Sequence, residues 1–226
     1  MKFILFDIDG TLVDSGGAGS RSLNLAFEEI FSVRDAFRSI SMAGKTDMQI
    51  LREGFELHHI DCFNGIIPEF YRSYIRHLKQ SMRNTQGHVK PGIREALGGL
   101  STQKGFTLGL LTGNIEEGAR IKLDFFGLNS FFGIGAFGND DEDRNRLLPI
   151  AIDKLYKQSS LKVDFRDCVV IGDTPLDISC SKPYGAFSIA VATGPYSTGT
   201  LSDAGADVVF DDLSDTEAFM SVVKAV

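Results

Sequence analysis

The chain has 226 residues, 43% of them hydrophobic, and carries 30 acidic against 23 basic side chains for a net charge of −7. That length holds one large domain, or a core domain with a smaller one attached, and a mean hydropathy of 0.00 leaves ample material for a core. The acidic balance excludes unspecific nucleic-acid binding, and no apolar run reaches the length of a membrane span or a secretory leader, so a cytoplasmic protein is expected. The cysteines, Cys62, Cys168 and Cys180, are odd in number, follow no metal-ligand spacing and read as free thiols of a reducing compartment.

The first predicted element is a short buried strand, Phe3-Ile4-Leu5-Phe6, which ends on Asp7-Ile8-Asp9-Gly10-Thr11. Residues 12–19 are small and Gly-rich, suited to a hinge rather than to a core element. Three helical patterns follow: Leu23, Phe27, Ile30 and Phe31; then Ile50, Leu51 and Phe55 behind Thr46; then Ile67, Phe70, Tyr71, Tyr74, Leu78 and Met82. No strand is predicted between residues 15 and 88. Lys90-Pro91-Gly92 marks a change of pattern. A helix over 93–102 leads to a strand over 106–111 that ends on Thr112-Gly113-Asn114, and a helix over 115–126 stops at Gly127. A weaker strand is predicted over 131–137, before the acidic loop 139–143, Arg144-Asn145-Arg146 and a helix through Ile150, Leu155 and Tyr156. The clearest strand, 168–171, ends on Gly172-Asp173-Thr174-Pro175-Leu176-Asp177; further strands are expected over 186–192 and 208–210.

Strands alternating with helices predict an α/β fold, a Rossmann-like parallel sheet with helices on both faces. Residues 1–14 and 89–226 form the predicted core, and 15–88 an all-helical cap domain inserted after the first strand. Ligands of such sheets bind beyond the carboxyl ends of the strands. Asp7, Asp9, Thr112, Arg144 and Asp173 each follow a predicted strand, so all five can reach one rim. Asp7 and Asp173 offer hard oxygen ligands suited to Mg2+, Asp177 stands one helical turn after Asp173, and Thr112 with the Gly113 N–H can donate to a phosphate oxygen. Arg144 can neutralise phosphate charge.

Other patterns carry less. Ala43-Gly44-Lys45-Thr46 has the ending of a nucleotide-binding loop without its earlier glycine or preceding strand. Gly133-Ile134-Gly135-Ala136-Phe137-Gly138 fits a dinucleotide fingerprint but opens onto Asp140, Asp141, Glu142 and Asp143, where a pyrophosphate would be repelled. His58, His59, His77 and His88 lack ligand spacing.

The set Asp7-Ile8-Asp9-Gly10-Thr11, Thr112, a basic residue before the penultimate helix, and Gly172-Asp173-x-x-x-Asp177 resembles the four motifs of the haloacid dehalogenase-like hydrolase superfamily. The insert resembles that superfamily's helical type-1 cap, and the subgroup is similar to the phosphoglycolate phosphatases. The resemblance implies a Mg2+-dependent phosphatase acting on a small phosphate monoester, without nucleic acid or membrane as partner. It makes Asp7 the nucleophile and a metal ligand, Asp9 the general acid/base and a ligand through its carbonyl, Thr112 the phosphoryl binder, and Asp173 the remaining metal ligand supported by Asp177. The third motif is usually lysine; here Arg144 matches it, with Arg146 as the alternative. Since two neighbouring carboxylates do not both ionise cheaply and the metal favours the charged form of Asp7, Asp9 is expected to be the one that can hold a proton. Phosphosugar mutases of this cap type are similar around Gly44 but carry a cation three positions later, where this chain has Asp47. A mutase remains the nearest rival; a non-catalytic scaffold and a nucleotide-dependent kinase built on residues 43–46 are the others. Lys45, in the turn expected to face the site, is a candidate contact for an acidic leaving group.

Overall fold

The computed structural model describes residues 1–61 and 63–226, so Cys62 lies outside the described residues. In chain order, β1 (Lys2–Phe6) and β2 (Val13–Asp14) are followed by three helices, α1 (Ala18–Phe31), α2 (Asp47–Leu57) and α3 (Phe63–Arg83). Then come β3 (His88–Val89), α4 (Ile93–Ser101), β4 (Phe106–Leu111), α5 (Glu116–Phe125), β5 (Gly135–Ala136) and α6 (Leu147–Ser159). The chain closes with β6 (Cys168–Gly172), α7 (Pro175–Ser181), β7 (Phe187–Val191), α8 (Thr198–Asp203), β8 (Val208–Phe210) and α9 (Thr216–Ala225).

Six of these strands form one parallel sheet in the order β5-β4-β1-β6-β7-β8. Alternation along β1 explains why both of its faces are covered. Ile4 and Phe6 join the cluster built with Ile93 and Leu97 of α4, Leu123 of α5 and Phe219 of α9. Phe3 and Leu5 join the cluster built with Leu148 and Ala151 of α6 and Cys180 of α7. Phe6 is level with Leu110 of β4 and Ile171 of β6, so Asp7, Thr112 and Asp173 leave three neighbouring strands at one rim.

Two expectations are corrected. Residues 12–19 do not form a uniform hinge, because Leu12 and Val13 are fully buried in the main core. Gly10, at φ 86°, turns the chain so that the N–H groups of Leu12 and Val13 both reach the Ile8 carbonyl. Val13 and Asp14 then pair antiparallel with Val89 and His88, which ties the two ends of the helical segment together. The strand expected over 131–137 shrinks to Gly135–Ala136, since a 3-10 turn occupies Asn129–Phe131 and Phe132 packs edge-on against Phe6. Its apolar residues are core fillers, which is why they read as strand.

Helices α1 to α3 enclose a second apolar cluster. Phe27 is at its centre, with ring contacts to Phe31, Phe37, Phe55 and Phe70 at centroid distances of 4.7–6.2 Å. Phe27→Ala is predicted to destabilise the protein by about 3–5 kcal/mol through the cavity it leaves. Urea unfolding checks this, and a loss below about 1 kcal/mol would mean that the helices do not depend on this cluster.

Candidate active site

The rim of β4, β1 and β6 opens on a cavity of about 290 Å³ whose lining includes Asp7, Asp9, Thr112, Gly113, Arg144 and Asp173. The backbone fixes the acids first. The Asp7 N–H extends the β1–β6 ladder to the Ile171 carbonyl at 2.9 Å, leaving the side chain at the sheet's end. Gly10 is required next to it, because a Cβ there would collide with the Asp173 carboxylate, at a φ that L side chains rarely adopt. Thr11 Oγ1 donates to Asp173 Oδ1 at 2.9 Å and holds that carboxylate. Thr112 is fully buried, and its hydroxyl accepts from Asn114 Nδ2 at 2.9 Å.

Arg144, preferred in sequence because it directly follows the acidic loop, and its alternative Arg146 occupy different environments. Both lie in the 3-10 turn before α6. Arg146 is 69% exposed and pairs with Asp141. Arg144 is buried, and its Nη2 donates to Asp7 Oδ1 at 3.1 Å and to Asp177 Oδ1, while Nη1 donates to the Gly44 carbonyl at 2.9 Å. Its buried Nε has no hydrogen-bond partner, and Arg144 is among the residues that line the cavity. Burial acts against the charge, but Asp177 and Asp7 outweigh it and hold the guanidinium protonated.

Asp177 is more committed than its spacing suggested. Besides Arg144, it accepts from the Thr174 N–H and hydroxyl at 2.9 and 2.7 Å, completing a capping box at the start of α7. It anchors Arg144 and the helix rather than facing the cavity. Lys45 lines the cavity, with its ammonium on Glu53 at 2.6 Å. The Gly44 carbonyl is engaged by Arg144, and a Cβ on Gly113 would collide with the Lys45 carbonyl, so this turn packs closely against the end of β4 and the turn before α6. The glycine run 133–138 enters β5 and meets no helix N-terminus. None of the histidines lines the cavity; His58 bonds the Ala36 carbonyl and His77 pairs with Glu29.

Lys122 and Asn114 received no role in the sequence reading, and Asp47 entered it only as the residue standing where similar mutases carry a cation. Lys122, on α5, is buried, and its Nζ donates to Asp9 Oδ2 at 2.5 Å and to Asn114 Oδ1 at 2.6 Å. Its signal was a lysine on the stripe that α5 gives to Gly118, Ala119 and Leu123. Asp47 is buried and lines the cavity; its N–H donates to the Gly113 carbonyl at 2.7 Å and its Oδ2 accepts from Ile115 N–H at 2.8 Å. Nothing in its local pattern separates it from an ordinary first-turn acid.

The protein's own charges act on Asp7 and Asp9 in opposite directions. Burial, opposed by Arg144, raises the Asp7 carboxyl to about 6. Burial would raise Asp9 too, but Lys122, Asn114 and Ser15 overcome it and hold Asp9 below the usual carboxylate value. Without a cation the protein's own charges favour the charged form of Asp9, because Lys122 sits against it; a cation on Asp7 would favour the charged form of Asp7 as well. Asp173 is raised well above the ordinary value by burial and by Asp177 and Asp7.

Carboxylate oxygens of Asp7, Asp173 and Asp177 all lie within 4.8 Å of one another. Such a crowd of hard oxygens fits a small divalent cation, whose charge favours the ionised forms that burial disfavours. With Asp177 engaged elsewhere, Asp7 and Asp173 are the side chains that would hold it. Cys168 and Cys180 are free and buried, with burial pushing both thiols up to about 12, and neither lines the cavity. No helix among the described residues is long and apolar enough to cross a membrane.

A family model for haloacid dehalogenase-like hydrolases matches residues 4–191. The chain belongs to that family. It is 26% identical to a phosphoglycolate phosphatase of Vibrio vulnificus over 95% of this chain and 93% of that one. With one from Agrobacterium fabrum it shares 27% identity over 93% and 88%. Among solved structures, CbbY from Rhodobacter sphaeroides in complex with phosphate superposes with a TM-score of 0.74 at 18% identity, covering 95% of this chain and 96% of that chain. A haloacid dehalogenase-like family hydrolase from Streptococcus pneumoniae superposes with a TM-score of 0.64 at 17% identity, covering 97% and 98%. These two structures share the fold.

A stability measurement tests the Asp47 environment. Burial, opposed by Lys122 and the Ile115 N–H, raises its carboxyl from 3.8 to about 6. A raised folded pKa means a contribution that is complete below pH 3.8 and lost as pH rises through about 6. Asp47→Asn does not ionise, so it is predicted to gain on the wild type across that window, by up to about 3 kcal/mol. Urea unfolding at several pH values checks this; parallel stability curves would contradict it.

Proposed function

We propose that the protein is a Mg2+-dependent phosphatase that hydrolyses a small phosphate monoester in the cytoplasm through an aspartyl-phosphate on Asp7. The observation that carries this reading is the buried Arg144 guanidinium bonded to Asp7, with an unpartnered N–H left over, beside Asp173 on one cavity wall. The division into a core of residues 1–14 and 89–226 and a cap of 15–88 belongs to the same proposal.

A phosphate monoester resists hydrolysis because an anionic nucleophile is repelled by an anionic substrate. Arg144, the Thr112 hydroxyl and the Gly113 N–H offset that charge where it is greatest, at the transferring phosphoryl group. Asp7, Asp173 and the Asp9 carbonyl are the groups that would hold a Mg2+, which would supply further neutralisation of the phosphoryl charge. One Asp7 oxygen attacks phosphorus as the ester P–O bond breaks, and Asp9 gives a proton to the departing oxygen. Asp9 then takes a proton from water as that water attacks phosphorus, the P–O bond to Asp7 breaks, and inorganic phosphate leaves.

Cavity size favours small leaving groups over proteins or polynucleotides, and Lys45 is the candidate contact for an acidic one. The relatives named as phosphoglycolate phosphatases support a small, carboxylated ester as the first to try. A phosphosugar mutase is the weaker alternative, since a second phosphate in the cavity would meet the Asp47 carboxylate.

A phosphometabolite panel with Mg2+ tests the activity. Turnover is expected to vanish with a chelator, and to fall by more than about 10³-fold in Asp7→Asn with the fold intact. An Asp7→Asn protein that stays active, with deamidation excluded by mass spectrometry, would remove the mechanism. Arg144→Ala is predicted to cost far more turnover than Arg146→Ala, because only Arg144 touches Asp7. Equal losses in steady-state kinetics would reject the Arg144 assignment.

A further inference from the structure

Lys122 is the buried charge that the steps above leave without a task. An ammonium at that depth is costly unless it is paired. Its side chain is only 4% exposed, and it sits on the α5 face that otherwise carries Ala119 and Leu123. The bonds around it form a closed arrangement. Nζ donates to Asp9 Oδ2 at 2.5 Å and to Asn114 Oδ1 at 2.6 Å, and Asn114 Nδ2 donates at 2.9 Å to the same Asp9 oxygen and at 2.9 Å to Thr112 Oγ1. Side chains from the ends of β1 and β4 are thereby tied to one point on α5.

The two oxygens of Asp9 are treated differently. Oδ2 carries both donors, whereas Oδ1 has only the Ser15 hydroxyl at 3.1 Å. The cap closes over the ammonium: a Cβ on Gly19 of α1 would stand 3.2 Å from Nζ, and Tyr74 of α3 lines the same part of the cavity. A carboxylate left to rotate there would have to find its leaving group anew at each turnover.

We propose that Lys122 is a positioning residue for departure of the leaving group: with Asn114 it holds Asp9 by Oδ2, so that Oδ1 is the atom that hands over the proton. The proposal rests on the phosphatase reading. Asp9, which Lys122 holds charged in the free protein, first takes the proton of the ester monoanion on Oδ1. Then, as the bond between Asp7 and phosphorus forms, the ester P–O bond breaks, its electron pair stays on the leaving oxygen, and that oxygen takes the Oδ1 proton. An alkyl alcohol departs poorly without the proton. The 4-nitrophenolate of an aryl phosphate departs as a stable anion and hardly needs it.

The test compares kcat/KM for an alkyl phosphate such as glycerol phosphate with that for 4-nitrophenyl phosphate, because kcat/KM covers the chemistry up to loss of the leaving group. Lys122→Met is expected to lower the alkyl-to-aryl ratio by about 10²-fold, the scale of a positioned general acid. Lys122→Arg should restore part of that ratio by returning a donor and a charge. Where the Met variant is too unstable by thermal melting, Lys122→Gln, which keeps a donor but no charge, takes its place. A damaged fold lowers both substrates together, so an unchanged ratio in an active enzyme overturns the Lys122 assignment alone. A wild-type protein inactive on both esters contradicts the phosphatase reading, and the proposal falls with it.

Discussion

Two buried carboxylates at the ends of adjacent strands, crowded by a third from the first turn of α7, are the constraint on which the structure turns. Asp7, Asp173 and Asp177 bring oxygens within 4.8 Å of one another, which is costly without positive charge among them. The Arg144 guanidinium supplies part of it, bonding Asp7 and Asp177 together, and the remainder invites a divalent cation. Much of the surrounding architecture serves to keep this arrangement in register. The parallel ladder aligns β4, β1 and β6, Thr174 and Asp177 start α7 with a capping box, and Gly10 lets the backbone pass Asp173 without collision.

The helical segment is fastened to this rim by bonds that converge on the turn before α2. Asp47 bridges the Gly113 carbonyl and the Ile115 N–H, Thr46 Oγ1 donates to the Glu142 carbonyl at 2.8 Å, and Arg144 holds the Gly44 carbonyl. Exposed pairs such as Lys79–Glu117 add little by comparison. The attachment thus consists of short polar contacts at a few backbone positions, while the packing of α1 to α3 on one another rests on the aromatic cluster around Phe27.

How much of this was legible in the sequence follows from how local each signal is. Strand ends carrying Asp7, Thr112 and Asp173 were readable because an apolar run stopping at a polar residue is a local pattern, and a parallel sheet brings such ends together. The short β5 was overestimated because Phe131, Phe132 and Ile134 fill the core from a turn as readily as from a strand. Leu12 and Val13 were misread because their burial depends on the reversal at Gly10 and on pairing with residues near 88. Lys122 and Asp47 were missed for the same reason: each makes sense only against a partner more than 60 positions away. Arg144 was preferred to Arg146 from its place directly after the acidic loop, and burial puts the two in different surroundings.

Covalent capture of the phosphoryl group tests the central claim most directly. The protein is mixed with Mg2+ and a turned-over phosphate ester, quenched within milliseconds, reduced with borohydride, and digested for mass spectrometry. An aspartyl-phosphate on Asp7 would appear as homoserine at position 7, in an amount that decays as substrate is exhausted. Steady turnover with position 7 unmodified, or with the label on another residue, would contradict the account.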